Sequence, residues 1–154
     1  MHAQSVAPMS HLLSALSKVL TKAEAHCEAR KIDPAAILTA RLFPDMFHFT
    51  RQVQLVTDFA KGPAARLAGL PVPSYEDNEV TFADLQGRIA KTLAFLATVT
   101  PAMLEGTAAR DGTFKGRGQE VNPPGQSYFF HRTTAYNILR HNGVELGKGD
   151  FIGR

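Results

Sequence analysis

The segment Ser127-Tyr-Phe-Phe-His-Arg-Thr-Thr-Ala-Tyr-Asn-Ile-Leu-Arg-His-Asn-Gly-Val-Glu-Leu146 reads as a helix with a marked stop. At 3.6 residues per turn, His131, Ala135, Ile138 and Asn142 share one side, and Phe129, Arg132, Tyr136 and Leu139 share the next. Arg140 and His141 fall in the last turn, where cations suit the negative end of the helix dipole. Asn142-Gly143 then supplies the left-handed residue that closes a helix. His131 is thereby placed level with an apolar stripe instead of on the solvated face.

Three more segments carry the same kind of pattern. Leu12, Leu13, Leu16, Val19, Leu20, Ala23 and Cys27 recur at three- and four-residue steps, with Ser10 as the expected N-cap. Met46, Phe49, Val53, Val56 and Ala60 form a stripe beside His48, Gln52, Leu55 and Phe59, behind an expected cap at Asp45. Thr81-Phe-Ala-Asp84 resembles a capping box, followed by Phe82, Leu85, Ile89, Leu93, Leu96 and Val99 in register. Asp33-Pro34 opens a short piece expected over 35–43, because proline is tolerated at the first helical position. The long helices are expected at 10–29, 45–61, 81–100 and 126–142.

These segments predict an all-α protein, an antiparallel four-helix bundle forming one domain over residues 1–154, with 1–8 as a flexible leader. The glycine- and asparagine-rich stretch 107–126 is expected to form a small extended arm or β-hairpin between the third and fourth long helices. Leu146, Phe151 and Ile152 are too apolar for a free tail and should fold back on the body or onto a partner.

Of the 154 residues, 44% are apolar and 20% charged, which suits a globular domain. The net charge of +3 is spread along the chain with few interleaved aromatic residues, so no nucleic-acid partner is expected. The longest uncharged apolar run, Thr92 to Leu104, is too short to span a bilayer and contains Pro101, so no membrane partner is expected either. Cys27 is the only cysteine and continues an apolar stripe. A buried, inert thiol in the reducing cytoplasm is the reading that follows.

No phosphate-binding glycine loop, nucleophile elbow, His-Glu-x-x-His helix or Cys-x-x-Cys pair occurs in the sequence. What remains is six histidines. His2 and His11 are expected to be solvated, and His26 and His141 lie on helix flanks. His48 and His131 point inward from helices that could face one another. They are read either as two structural histidines or as part of a ligand pocket with Gln52 and Tyr128. A metal shared by His48 and His131 would lack its usual third protein ligand, because Ala135 stands one turn from His131.

The late segment Phe130 to Gly143 and the closing Leu146-Gly-Lys-Gly-Asp-Phe-Ile-Gly153 resemble the DinB/YfiT-like superfamily. So do Ala25-His-Cys-Glu-Ala-Arg-Lys-Ile-Asp-Pro34, Ala40-Arg-Leu-Phe-Pro-Asp-Met-Phe47 and Asp58-Phe-Ala-Lys-Gly-Pro-Ala-Ala-Arg-Leu-Ala-Gly69. More narrowly, they resemble a bacterial branch known only as a domain of unknown function. The resemblance implies a four-helix bundle and a homodimer. It also implies a divalent metal (zinc or nickel) held by three histidines, used by some relatives in thiol-dependent transferase or isomerase chemistry. His48 matches the first position and His131 the second, while Ala135 replaces the third. The expectation is therefore a small-ligand-binding or interaction protein with a degenerate metal site, and the alternative is a metal-dependent enzyme.

Overall fold

The computed structural model describes residues 5–106, 115–116, 119–120 and 124–154. Its helical elements are α1 (Val6–Arg30), α2 (Pro34–Leu38), α3 (Phe49–Ala68), α4 (Phe82–Thr98), a 3-10 turn (Ala102–Leu104), α5 (Pro124–His141) and α6 (Lys148–Ile152). The arm expected over 107–126 lies mostly outside the described residues. Within it, β1 (Lys115–Gly116) pairs antiparallel with β2 (Gln119–Glu120). Among the described residues no helix is long and apolar enough to cross a membrane.

Two starts differ from expectation. The first helix begins at Val6, not after Ser10, and Val6 is buried. Pro8 does not prevent this, because the N–H groups of the first turn have no partner inside the helix. Residues 6–8, within the stretch 1–8, are thus helical. In the third helix the cap is His48, not Asp45. His48 is extended, and its Nδ1 accepts the Arg51 N–H at 3.3 Å. The Phe49 N–H bonds the Ala40 carbonyl at 2.9 Å, which seats Phe49 in the core and leaves Asp45 in an exposed turn. The short second helix also ends early, at Leu38.

Elsewhere local chemistry acts as anticipated. Asp33 caps α2 by accepting the Ala35 N–H at 2.9 Å. Thr81 and Asp84 form a reciprocal capping box at the start of α4. Gly143, at φ 85°, closes α5, and the Val144 N–H returns to the Leu139 carbonyl. The helix expected to end at 61 instead continues to Ala68, with Pro63 inside it.

The core runs between the long helices. It contains Leu13, Leu16 and Leu20 of α1, Phe49, Val53 and Val56 of α3, Leu85, Ile89 and Leu96 of α4, and Ala135, Ile138 and Leu139 of α5. The tail folds back as expected. Lys22 pairs with Asp150 at 2.6 Å, and the His11 ring bonds the Ile152 carbonyl at 2.8 Å. His11, expected to be solvated, is exposed but takes this partner.

Two buried arginines join the elements. Arg132 is 1% exposed, donates through Nε to the Leu12 carbonyl at 3.2 Å, and reaches the Phe151 carbonyl. Its guanidinium lies 4.0 Å from the centre of the Phe151 ring, a cation–π contact. Arg88, also 1% exposed, donates to Thr57 Oγ1 at 2.7 Å, Glu79 at 2.9 Å and Asp58 at 2.9 Å, and pairs with Asp77 at 3.1 Å. It ties α4 to α3 and to the loop before α4. Lys61, buried and paired with Asp58 at 2.5 Å, lies 4.6 Å over the Tyr75 ring of the same loop.

Removing one member of a buried ionic network leaves the others uncompensated, at a cost of about 3–5 kcal/mol. Arg88→Met is therefore expected to destabilise the protein by roughly that amount in urea titrations. Arg88→Lys should recover little, because one ammonium cannot fork to Glu79, Asp58 and Thr57 together. A change below about 1 kcal/mol in Arg88→Met, the scale of an exposed pair, would refute the role.

Candidate functional site

Gln52 on α3 and His131 on α5 come together. The Gln52 side chain is 1% exposed; its Nε2 donates to the Phe47 carbonyl at 3.0 Å, and its Oε1 lies 2.8 Å from His131 Nδ1. The amide cannot be turned round, because its oxygen would then face the Phe47 carbonyl, and neither atom can donate. Oε1 therefore faces the imidazole, so Nδ1 carries the proton and Nε2 presents a lone pair. The N-cap at His48 contributes to this arrangement, because it ends the extended segment just after Phe47 and aims the Phe47 carbonyl into the first turn of α3.

Phe59 stacks on the His131 ring with centroids 5.5 Å apart and planes 11° apart, and Phe130 meets it edge-on at 5.2 Å. His131 is half-buried, not enclosed by the core as its stripe suggested. Among the described residues the hydrogen bond at the His131 ring engages Nδ1, and the residue keeps part of its surface in solvent. Around it the surface is apolar: Phe130 is 58% exposed and Phe47 53%. Arg51 stands close by, held by Asp77 and by Gln54 at 3.1 Å.

Burial, and then the positive charge of Arg51, lower the pKa of His131. His48 is also lowered, by burial first and then by Arg41 and Arg51, against an opposing hydrogen bond to the Leu38 carbonyl. His48 Nδ1 is engaged in capping α3.

Tyr128, expected beside these residues, is fully buried and donates its hydroxyl to the Met9 carbonyl at 3.2 Å on α1. Burial raises its pKa. Ala135 is fully buried among core residues, so the empty third ligand position is packed protein, and a histidine there would overpack it. Among the described residues no three His, Cys, Asp or Glu side chains gather where they could hold a metal ion. Zinc or nickel does not fit this donor set: one imidazole caps a helix and the third position is closed. Cys27 is 1% exposed, with a thiol pKa raised by burial and then by Glu24 and Asp33, as expected of an inert thiol.

The sequence did not single out the Gln52–Phe47 carbonyl contact, the Phe59 stack or the two buried arginines. Gln52 and Phe59 do lie seven residues apart, two turns along one face of α3, which was the available signal. Arg132 stood in the Phe129–Tyr136–Leu139 row.

The fold and the sequence together define a DinB-like helical protein. The crystal structure of a DinB family member from Shewanella denitrificans is similar over 97% of this chain and 90% of that one, at 36% identity and a TM-score of 0.88. Residues 1–152 match the family described as a domain of unknown function, DUF1993, and the chain belongs to it. No curated protein matches the chain.

The two histidines give stability a definite pH dependence. Their folded pKa values lie below that of the unfolded chain, about 6.5. As pH falls below that value the unfolded chain binds protons that the folded chain resists, so stability falls. This contribution is complete above about pH 6.5 and declines until pH reaches the depressed folded values. Ring C–H titration by NMR should place the midpoints of both His48 and His131 below that of a free histidine. A midpoint above it for His131 would contradict the assignment.

Proposed function

We propose that this protein binds a small ligand without transforming it, at the His131–Gln52 site. The observation that carries the reading is the half-exposed imidazole, held in one tautomer and bordered by exposed aromatic rings. Small-ligand sites combine apolar surface with a few placed polar groups. Metal-dependent transferase or isomerase chemistry is the weaker reading, because His48, His131 and Ala135 do not make a ligand set.

Fragment screening by NMR on the full chain tests the proposal. Shifts should centre on His131, Gln52, Phe59 and Phe130. The competing surface is a groove of about 440 Å³ lined by Lys22, His26, Arg30, Val144 and Glu145. Shifts confined to that groove would overturn the assignment.

The same reading takes residues 1–154 as one domain, an antiparallel four-helix bundle with a hairpin arm over 107–126. It places the protein in the cytoplasm, consistent with a lone buried thiol. It also takes the protein to pair as a homodimer. Phe59 and Phe151 are engaged within the chain, since Phe59 stacks on His131 and Phe151 lies against Arg132. Phe43 and Phe129, away from the His131 ring contacts, supply exposed apolar surface instead. Light scattering at micromolar concentration is expected to report twice the mass of the chain; the mass of a single chain would exclude the dimer.

A further inference from the structure

The hydrogen-bond pattern at His131 restricts what its ligand can be. Gln52 occupies Nδ1, and Phe59 covers a ring face. The remaining polar contact, Nε2, is an acceptor only. A carboxylate or phenolate has no proton to offer it, and two lone pairs would face each other. A thiol is a weak donor. An ammonium group would approach Arg51, whose charge already bears on the ring. What remains is a neutral molecule with a strong donor. The nearest walls are flat aromatic rings, which favour a flat partner in offset or edge-on contact.

We propose that the site takes a neutral hydroxyaromatic ligand, whose O–H donates to His131 Nε2 while its ring lies against Phe130. Gln52 is then a positioning residue: fixed by the Phe47 carbonyl, it holds the imidazole in the tautomer that accepts. The proposal rests on the small-ligand reading above and adds the chemical class.

Phenol and anisole separate the two ideas, since they share a ring and differ in the donor. The experiment uses the full chain with ¹⁵N-labelled histidine, read through the long-range couplings of the imidazole. In the free protein the spectrum should show His131 as the Nδ1–H tautomer. Phenol should shift the Nε2 resonance while Nδ1 keeps its proton, and it should bind about two- to tenfold tighter than anisole, the range of one neutral hydrogen bond. Gln52→Leu should mix the tautomers and reduce that preference. Should that variant fail to fold, His131→Phe provides the control, and the two probes should bind it equally.

If phenol and anisole bind the unaltered protein equally, with no change at Nε2, the hydroxyaromatic class is wrong and the small-ligand reading survives. If neither probe perturbs His131, Phe59 or Phe130 at millimolar concentration, both readings fall. A free protein showing the Nε2–H tautomer would also overturn the proposal, because the open nitrogen would then be a donor.

Discussion

A guanidinium removed from water is tolerated only where opposite charge and hydrogen-bond acceptors surround it. Arg88 meets that requirement with Asp58 from α3, Glu79 and Asp77 from the following loop, and the Thr57 hydroxyl. Burial alone would lower its pKa, but the Glu79 hydrogen bond and the charges of Asp58, Glu79 and Asp77 outweigh this and raise it. The loop has two prolines, Pro71 and Pro73, and little regular structure of its own. Its position is set by charge. Asp77 also holds Arg51, and Glu79 accepts from Gln54 Nε2 at 2.8 Å. The first turns of α3 are thereby fixed on the side next to Gln52, and the electrostatics of the site follow from a network centred elsewhere.

Arg132 meets the same constraint differently. No carboxylate faces it among its described partners; it has two backbone carbonyls and the Phe151 ring, and its Nη1 is left without a partner. Burial lowers its pKa, with only the nearby Tyr128 opposing. The result is a junction of α1, α5 and α6 in which the closing helix covers a charge that would otherwise be hydrated. Adjacent residues on α5 thus have opposite tasks. Arg132 turns inward to hold the tail, while His131 turns to the rim toward α3.

At that rim, the acceptor character of His131 depends on a backbone carbonyl two hydrogen bonds away. Phe47 orients Gln52, and Gln52 orients the imidazole. Such a relay needs no additional charge, which is consistent with a neutral imidazole beside Arg51. It also depends on α3 starting at His48: a helix begun at Asp45 would commit the Phe47 carbonyl to an intrahelical bond.

The sequence by itself determined the helical class, four long apolar stripes, the Thr81 capping box, the stop at Asn142-Gly143 and the return of the tail. All of these are local, arising from periodicity, turn chemistry and the count of apolar groups over a few turns. It also brought His48, Gln52 and His131 into view, because their positions follow from helical spacing. Only the tertiary structure decided what they do. His48 became a cap because Phe49 is drawn to Ala40 and the core, and Tyr128 went to α1 because a buried hydroxyl needs an acceptor. His131 came to rest at the rim because Phe59 and Gln52 lie across from it on another helix. Arg88 and Arg132 could be buried because their partners converge from segments far apart in the chain. Such convergence leaves no trace in periodicity, which records the face of a helix and not what stands opposite.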